Sequence, residues 1–320
     1  MAKYRNALSQ SQGSFFLTDG GIETTLIFLD GQDLPYFAAF HLLKSNSGEE
    51  SLRKYFQTYA ELARTHRSGL VLETPTWRAS KDWGDRLGYT ADALAEANRK
   101  CVDLLEEVRR VYETTETPIV LSGCIGPRGD GYVPTDLMSE RQAEDYHRAQ
   151  IETFAGTPVD LVTAITMNYA AEAIGLARAA QKAALPVVIS VTVETDGRLP
   201  TGQSLGEAIK QIDEATSAYP SYFMINCAHP SHFSGIVNGD EEWANRIRGL
   251  RANASLMSHA ELNEAGELDA GDPEALGRDY ALLKRTKLKY LNVFGGCCGT
   301  DHRHVHQIAL ACLPLFRSAP

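Results

Sequence analysis

The chain has 320 residues, 43% of them hydrophobic, and a formal net charge of −10. Its acidic residues are spread along amphipathic stretches, and the deficit of positive charge argues against nucleic acid as a partner. No run of about 18 apolar residues exists to span a membrane, and the opening MAKYRNALSQ lacks an apolar signal core, so a cytoplasmic protein is expected. Along the chain, short apolar runs rich in β-branched and aromatic residues predict strands at Phe15–Thr18, Leu70–Glu73, Ile119–Gly123, Leu161–Thr166, Val187–Val193, Tyr222–Asn226, Ser255–His259 and Leu291–Phe294. Amphipathic stretches predict helices at Ser51–Arg67, Ala91–Tyr112, Glu140–Phe154, Ala170–Ala184, Leu205–Ala218, Glu241–Arg248, Pro273–Lys284 and His302–Phe316.

Alternating strands and helices joined by right-handed crossovers predict a single (β/α)₈ TIM barrel over residues 1–320. A doubly wound open sheet is the alternative, but no dinucleotide fingerprint follows the first strand. On either fold the chemistry belongs in the loops after the strand C-termini.

Six cysteines in so long a chain do not make a disulfide framework. Cys227 ends the sixth run, in Met-Ile-Asn-Cys-Ala-His-Pro, and Cys297 and Cys298 follow the eighth, in Gly-Gly-Cys-Cys-Gly-Thr. Strands two apart in a barrel bring their loops together. The flanking glycines permit the unusual backbone that two adjacent cysteines need to reach one ion. Three thiolates suit Zn²⁺ and leave the fourth tetrahedral position open, which points to catalysis. Cys101 and Cys312 read as core, and Cys124 as packing near the pocket. His302, His304 and His306 form a rival metal-binding pattern, although with Asp301 they read better as the first turn of the last helix.

These motifs resemble the homocysteine S-methyltransferase family across nearly the whole chain. The resemblance rests on Thr18-Asp19-Gly20-Gly21, Ser122-Gly123 with Gly126-Pro127, Asp196-Gly197 with Thr201-Gly202, Asn226-Cys227, and Gly295-Gly296-Cys297-Cys298-Gly299-Thr300. It implies a (β/α)₈ barrel with zinc held by Cys227, Cys297 and Cys298. It also places Asp19 near the amino-acid end of homocysteine. One departure stands out: Ile165 occupies the place of a family glutamate that helps hold the substrate amino group. Glu23, Glu73 and Glu194 are the candidates to replace that charge, and Thr166 and Asn226 complete the expected substrate contacts. Trp77, after the second strand, offers an aromatic face to a methylated cation, with Trp83 and Tyr89 as weaker candidates.

The expected reaction moves a methyl group from a small sulfonium or quaternary ammonium donor, S-methylmethionine first, to a thiol acceptor. Coordination to zinc supplies the thiolate, and no further catalytic residue is required. The expected partners are therefore a small-molecule methyl donor and a thiol acceptor, with neither nucleic acid nor membrane; an oligomer is compatible with the sequence. Two alternatives stay open. One is a zinc methyltransferase or demethylase of the same fold with a different acceptor or donor. The other is a non-catalytic zinc-binding barrel, with His229 or a histidine of 302–306 closing the metal's coordination. Arg128 is expected either to bind a substrate carboxylate or to pair with Asp130.

Overall fold

The computed structural model describes residues 1–316. Eight parallel strands close into a barrel in sequential order. They are β1 (Phe16–Leu17), β2 (Gly69–Glu73), β3 (Ile119–Ile125), β4 (Leu161–Met167), β5 (Val187–Val191), β6 (Tyr222–Asn226), β7 (Ile247–Ala252) and β8 (Val293–Gly296). The ring closes where Phe16 and Leu17 register with Val293 and Phe294. No open edge remains, which excludes the doubly wound alternative. Long helices follow seven of the eight strands: Asn46–His66, Ala91–Tyr112, Glu140–Ala155, Ala170–Lys182, Leu205–Thr216, Pro273–Thr286 and His302–Cys312. No helix among the described residues is long and apolar enough to cross a membrane.

Side-chain alternation divides the barrel interior into layers. The lower layer is apolar, with Phe16, Val71, Val120, Leu161, Val188, Tyr222, Met224 and Val293 in one cluster. Two residues further along the same strands the interior turns polar. Glu73 meets Arg251 there, Ser122 bonds Thr163 at 2.8 Å, and Ser190 donates to Asn226 at 2.6 Å. The strand bottoms thus carry the packing, and the tops are released for chemistry.

The sixth and seventh units differ from expectation. The seventh strand is Ile247–Ala252 and not Ser255–His259, which forms a loop and opens the short His259–Glu264 helix. The expected helix at Glu241–Arg248 is a single 3₁₀ turn, Glu242–Arg246, running into β7. The sequence Ile-Arg-Gly-Leu-Arg-Ala hides a strand because glycine and two arginines imitate an amphipathic surface. The tertiary structure gives each a reason. A Cβ on Gly249 would lie 2.4 Å from the Met224 side chain, so the glycine makes room inside the barrel. Arg251 is buried because two carboxylates lie beside it.

Candidate active site

A cavity of about 340 Å³ opens at the C-terminal mouth of the barrel. Its wall includes Asp19, Glu23, Glu73, Trp77, Ile165, Thr166 and all three of Cys227, Cys297 and Cys298. Asn226 and Glu194 are not part of that wall.

The three cysteine sulfurs lie within 4.8 Å of one another, and no histidine or carboxylate joins them among the described residues. Cys227 and Cys297 are bonded to each other as a disulfide, and Cys298 is free. Reduced, the set supplies three soft donors from just beyond the ends of β6 and β8, the composition that suits zinc. The backbone achieves this convergence differently from expectation. Gly295 and Gly296 lie in the strand, and Cys227 itself takes the left-handed conformation, with φ at 52°. The two glycines serve close approach: a Cβ on Gly295 would lie 1.8 Å from the Thr18 hydroxyl, and one on Gly296 2.0 Å from that of Thr300. Gly299, with φ at 78°, does use its conformational freedom.

The bend at Cys227 is held from several sides. Its N–H donates to the Arg251 carbonyl at 3.0 Å, and its carbonyl accepts from Asn253 Nδ2 at 3.1 Å and from His259 Nε2. Before it, Asn226 is fully buried and accepts from the Thr166 N–H at 3.0 Å and the Ser190 hydroxyl. Asn226 also donates to the Thr166 hydroxyl at 2.9 Å. Thr166 too is left-handed, with φ at 62°. Asn226 therefore clamps the ends of β4 and β6 rather than facing the cavity. Asn226→Ala leaves buried donors without acceptors, and urea unfolding should show a loss of about 2–3 kcal/mol.

Behind the sulfurs lies a buried charge network that the sequence did not disclose. Arg251 donates to Asp19 at 2.6 Å, to Glu73, and to the carbonyls of Gly20 at 3.2 Å and Gly296 at 3.1 Å. Asp19 also accepts from the Tyr55 hydroxyl at 3.0 Å. Burial works against the Arg251 charge, but the two carboxylates outweigh it and hold the guanidinium well above its ordinary range. For Asp19 and Glu73, burial pushes the carboxyls up and Arg251 opposes it. Both acids expected at the substrate are thus already paired. Glu194 is paired as well, 3.1 Å from His259 Nδ1.

Glu23 is the candidate acid left over. It faces the cavity, and burial pushes its carboxyl up to about 7. The same cavity wall carries Arg78, which sequence reasoning passed over although it adjoins Trp77. Its guanidinium lies 3.7 Å from the Trp77 ring centre and 3.9 Å from that of Trp83. The Trp77 ring therefore already stacks on a protein cation. Burial pulls Arg78 down to about 10, so it stays charged at neutral pH. Tyr132, also not anticipated, places its hydroxyl 3.9 Å from Cys298 Sγ and its ring 4.2 Å from that of His259.

The remaining candidates lie elsewhere. Arg128 pairs with Asp82 at 2.8 Å, and Asp130 instead accepts from the N–H groups of Tyr132 and Val133. Tyr89 packs on Phe40 and His41, outside the cavity wall. Cys101 and Cys312 are buried in the core, and Cys124 lines the cavity. The 302–306 histidines diverge: His302 is exposed, His304 donates to the Ala270 carbonyl at 2.7 Å, and His306 meets His66 at 2.9 Å. His229 accepts from the Ser231 N–H at 3.2 Å. Asp301 caps the final helix as expected, accepting from the Arg303 N–H at 2.9 Å.

A closed α/β barrel with three convergent sulfurs and a small charged cavity at its C-terminal mouth defines a barrel protein with a thiol-built site. The chain belongs to the homocysteine S-methyltransferase family, which it matches over residues 16–312. It is 22% identical over 319 residues to homocysteine S-methyltransferase 4 of Zea mays, covering 93% of this chain and 90% of that protein. It is 26% identical over 278 residues to methionine synthase of Mycobacterium leprae, covering 81% of this chain but spanning only 20% of that protein's length. Among solved structures, the oxidized form of the homocysteine methyltransferase MmuM from Escherichia coli shares the fold. Its TM-score is 0.74 at 17% identity, with coverage of 96% of this chain and 99% of that one.

Proposed function

We propose that this chain is a zinc-dependent S-methyltransferase. It moves a methyl group from a small sulfonium or quaternary ammonium donor, S-methylmethionine first, to the thiol of homocysteine, giving methionine. The observation that carries this reading is the convergence of Cys227, Cys297 and Cys298 on the wall of a small-molecule cavity. Family membership supports it, as does the fold shared with a metallated form of the E. coli homocysteine methyltransferase at a TM-score of 0.69.

Cys227, Cys297 and Cys298 would hold the metal once the Cys227–Cys297 disulfide is reduced. A zinc ion bound there supplies one thing: it favours the thiolate over the neutral thiol, whose ordinary pKa is about 8.5. The chain's own residues do the rest. Asn253 and His259 fix the Cys227 carbonyl, and Arg251 ties Asp19 and Glu73 into a rigid floor. The cavity aligns acceptor sulfur, methyl carbon and leaving atom. A new sulfur–carbon bond forms as the donor's bond to that carbon breaks. The bonding pair stays on the donor atom, which becomes neutral, and the acceptor's proton passes to solvent.

The test is a methyl-transfer assay on reduced, zinc-loaded protein. S-methylmethionine, glycine betaine, dimethylsulfoniopropionate and S-adenosylmethionine are each paired with homocysteine, with Cys298→Ala as control. Methionine that forms with one donor and vanishes in the variant supports the assignment. Stoichiometric zinc without methionine from any donor rules out homocysteine, and Ile165 then directs the search to other acceptors.

A further inference from the structure

Two ionisable side chains on the cavity wall, Glu23 and Arg78, leave hydrogen-bonding capacity unused. No other side chain bonds the Glu23 carboxylate among the described residues, although it lines the cavity. Arg78 is 5% exposed and makes one hydrogen bond among the described residues, from Nη1 to the Gly129 carbonyl at 2.9 Å. Its Nε has no acceptor among the described residues. Other charges near the cavity are engaged: Asp19 and Glu73 hold Arg251, Glu194 meets His259, Arg128 meets Asp82, and Asp130, the acid whose charge acts most on Arg78, accepts from the N–H groups of Tyr132 and Val133. Holding an arginine so deep with its donors unspent is costly unless something else uses them.

We propose that Glu23 and Arg78 form a two-point subsite for a zwitterion, taking a cationic onium or ammonium centre at Glu23 and a carboxylate at Arg78.

The arrangement suits that task. Stacking between Trp77 and Trp83 fixes the plane of the guanidinium, so its fork is oriented before a ligand arrives. The Glu23 and Arg78 side chains both line the cavity whose wall carries Cys227, Cys297 and Cys298. A ligand with its cation at Glu23 and its carboxylate at Arg78 would share that cavity with the sulfurs. A methyl donor with a carboxylate and an amino-acid thiol acceptor share this chemistry. Only the naming of that ligand rests on the methyl-transfer reading, because the subsite itself is read by binding.

Calorimetric titration of the reduced full-length chain at fixed zinc provides the test. Glycine betaine is compared with choline, and homocysteine with 3-aminopropane-1-thiol, each pair differing by the carboxylate. In the unaltered protein one pair should show a preference for the carboxylate of about tenfold or more. If it is the first pair, the subsite belongs to the donor; if the second, to the acceptor. Arg78→Met should bring that ratio to about one, and Arg78→Lys should leave it in between. Glu23→Gln should weaken both members of the pair about tenfold and leave their ratio unchanged. Because each ratio is taken within one variant, a partly unfolded sample does not alter it. A ratio near one for both pairs in the unaltered protein overturns the proposal, as does a ratio that survives Arg78→Met. Unchanged affinities in Glu23→Gln overturn its cationic half. A carboxylate preference in a protein that transfers no methyl group would keep the subsite and discard the reaction.

Discussion

Arg251→Met should destabilise the protein by about 3–5 kcal/mol, because it leaves Asp19 and Glu73 buried without their cation. Urea unfolding at several pH values measures the effect and fixes its cause. Burial already pushes both carboxyls up, and without the guanidinium nothing comparable opposes it. A group whose folded pKa lies above its unfolded value binds more protons when folded. Its contribution is fully present below the unfolded pKa, about 4 for a carboxyl, and is lost as pH rises through the folded value. The variant's deficit should therefore shrink toward pH 4 and widen toward pH 8. A deficit equal at both ends would show that Arg251 acts by packing alone. Methyl transfer should fall as well, since Arg251 bonds the backbone at Gly20 and Gly296, next to the sulfur-bearing turn.

The sulfur cluster carries the second large effect. Reduced protein should take up one zinc ion, and single replacement of Cys227, Cys297 or Cys298 by serine should weaken binding on the order of 10²–10³-fold. Competition with a chromogenic chelator reads this directly. Oxidised protein should take up none, because the Cys227–Cys297 bond occupies two of the three donors. Added thiol reductant should restore uptake with no change in fold. Zinc bound equally well by oxidised protein would move the metal away from these cysteines.

Much of the fold is legible in the sequence. The buried strands are short apolar runs, the helices carry clear apolar faces, and the last helix announced its cap at Asp301. The sulfur cluster was legible too, since a vicinal pair flanked by glycines and a third cysteine at a strand end are rare as packing. Less legible were residues whose role depends on what lies across the barrel. Gly249 and Arg251 break the hydrophobic pattern of β7, and the strand was misplaced for that reason. Asn226 was expected at the substrate but works as a clamp between strand ends. Asp19 and Glu73 were expected at the substrate, and both share one guanidinium.

The sequence by itself determined the architecture and the cluster of three thiols. Strand and helix periods are local, and three cysteines at strand ends converge wherever eight such units close. Only the tertiary structure decided which charges are free to meet a ligand. Pairing between Arg251, Asp19 and Glu73 spans up to 232 residues of chain, and no local pattern encodes it. Once those partners are matched, Glu23 and Arg78 remain unspent at the cavity wall. A buried charge left unpaired by the fold is costly, which is the physical reason to look for its partner in the ligand.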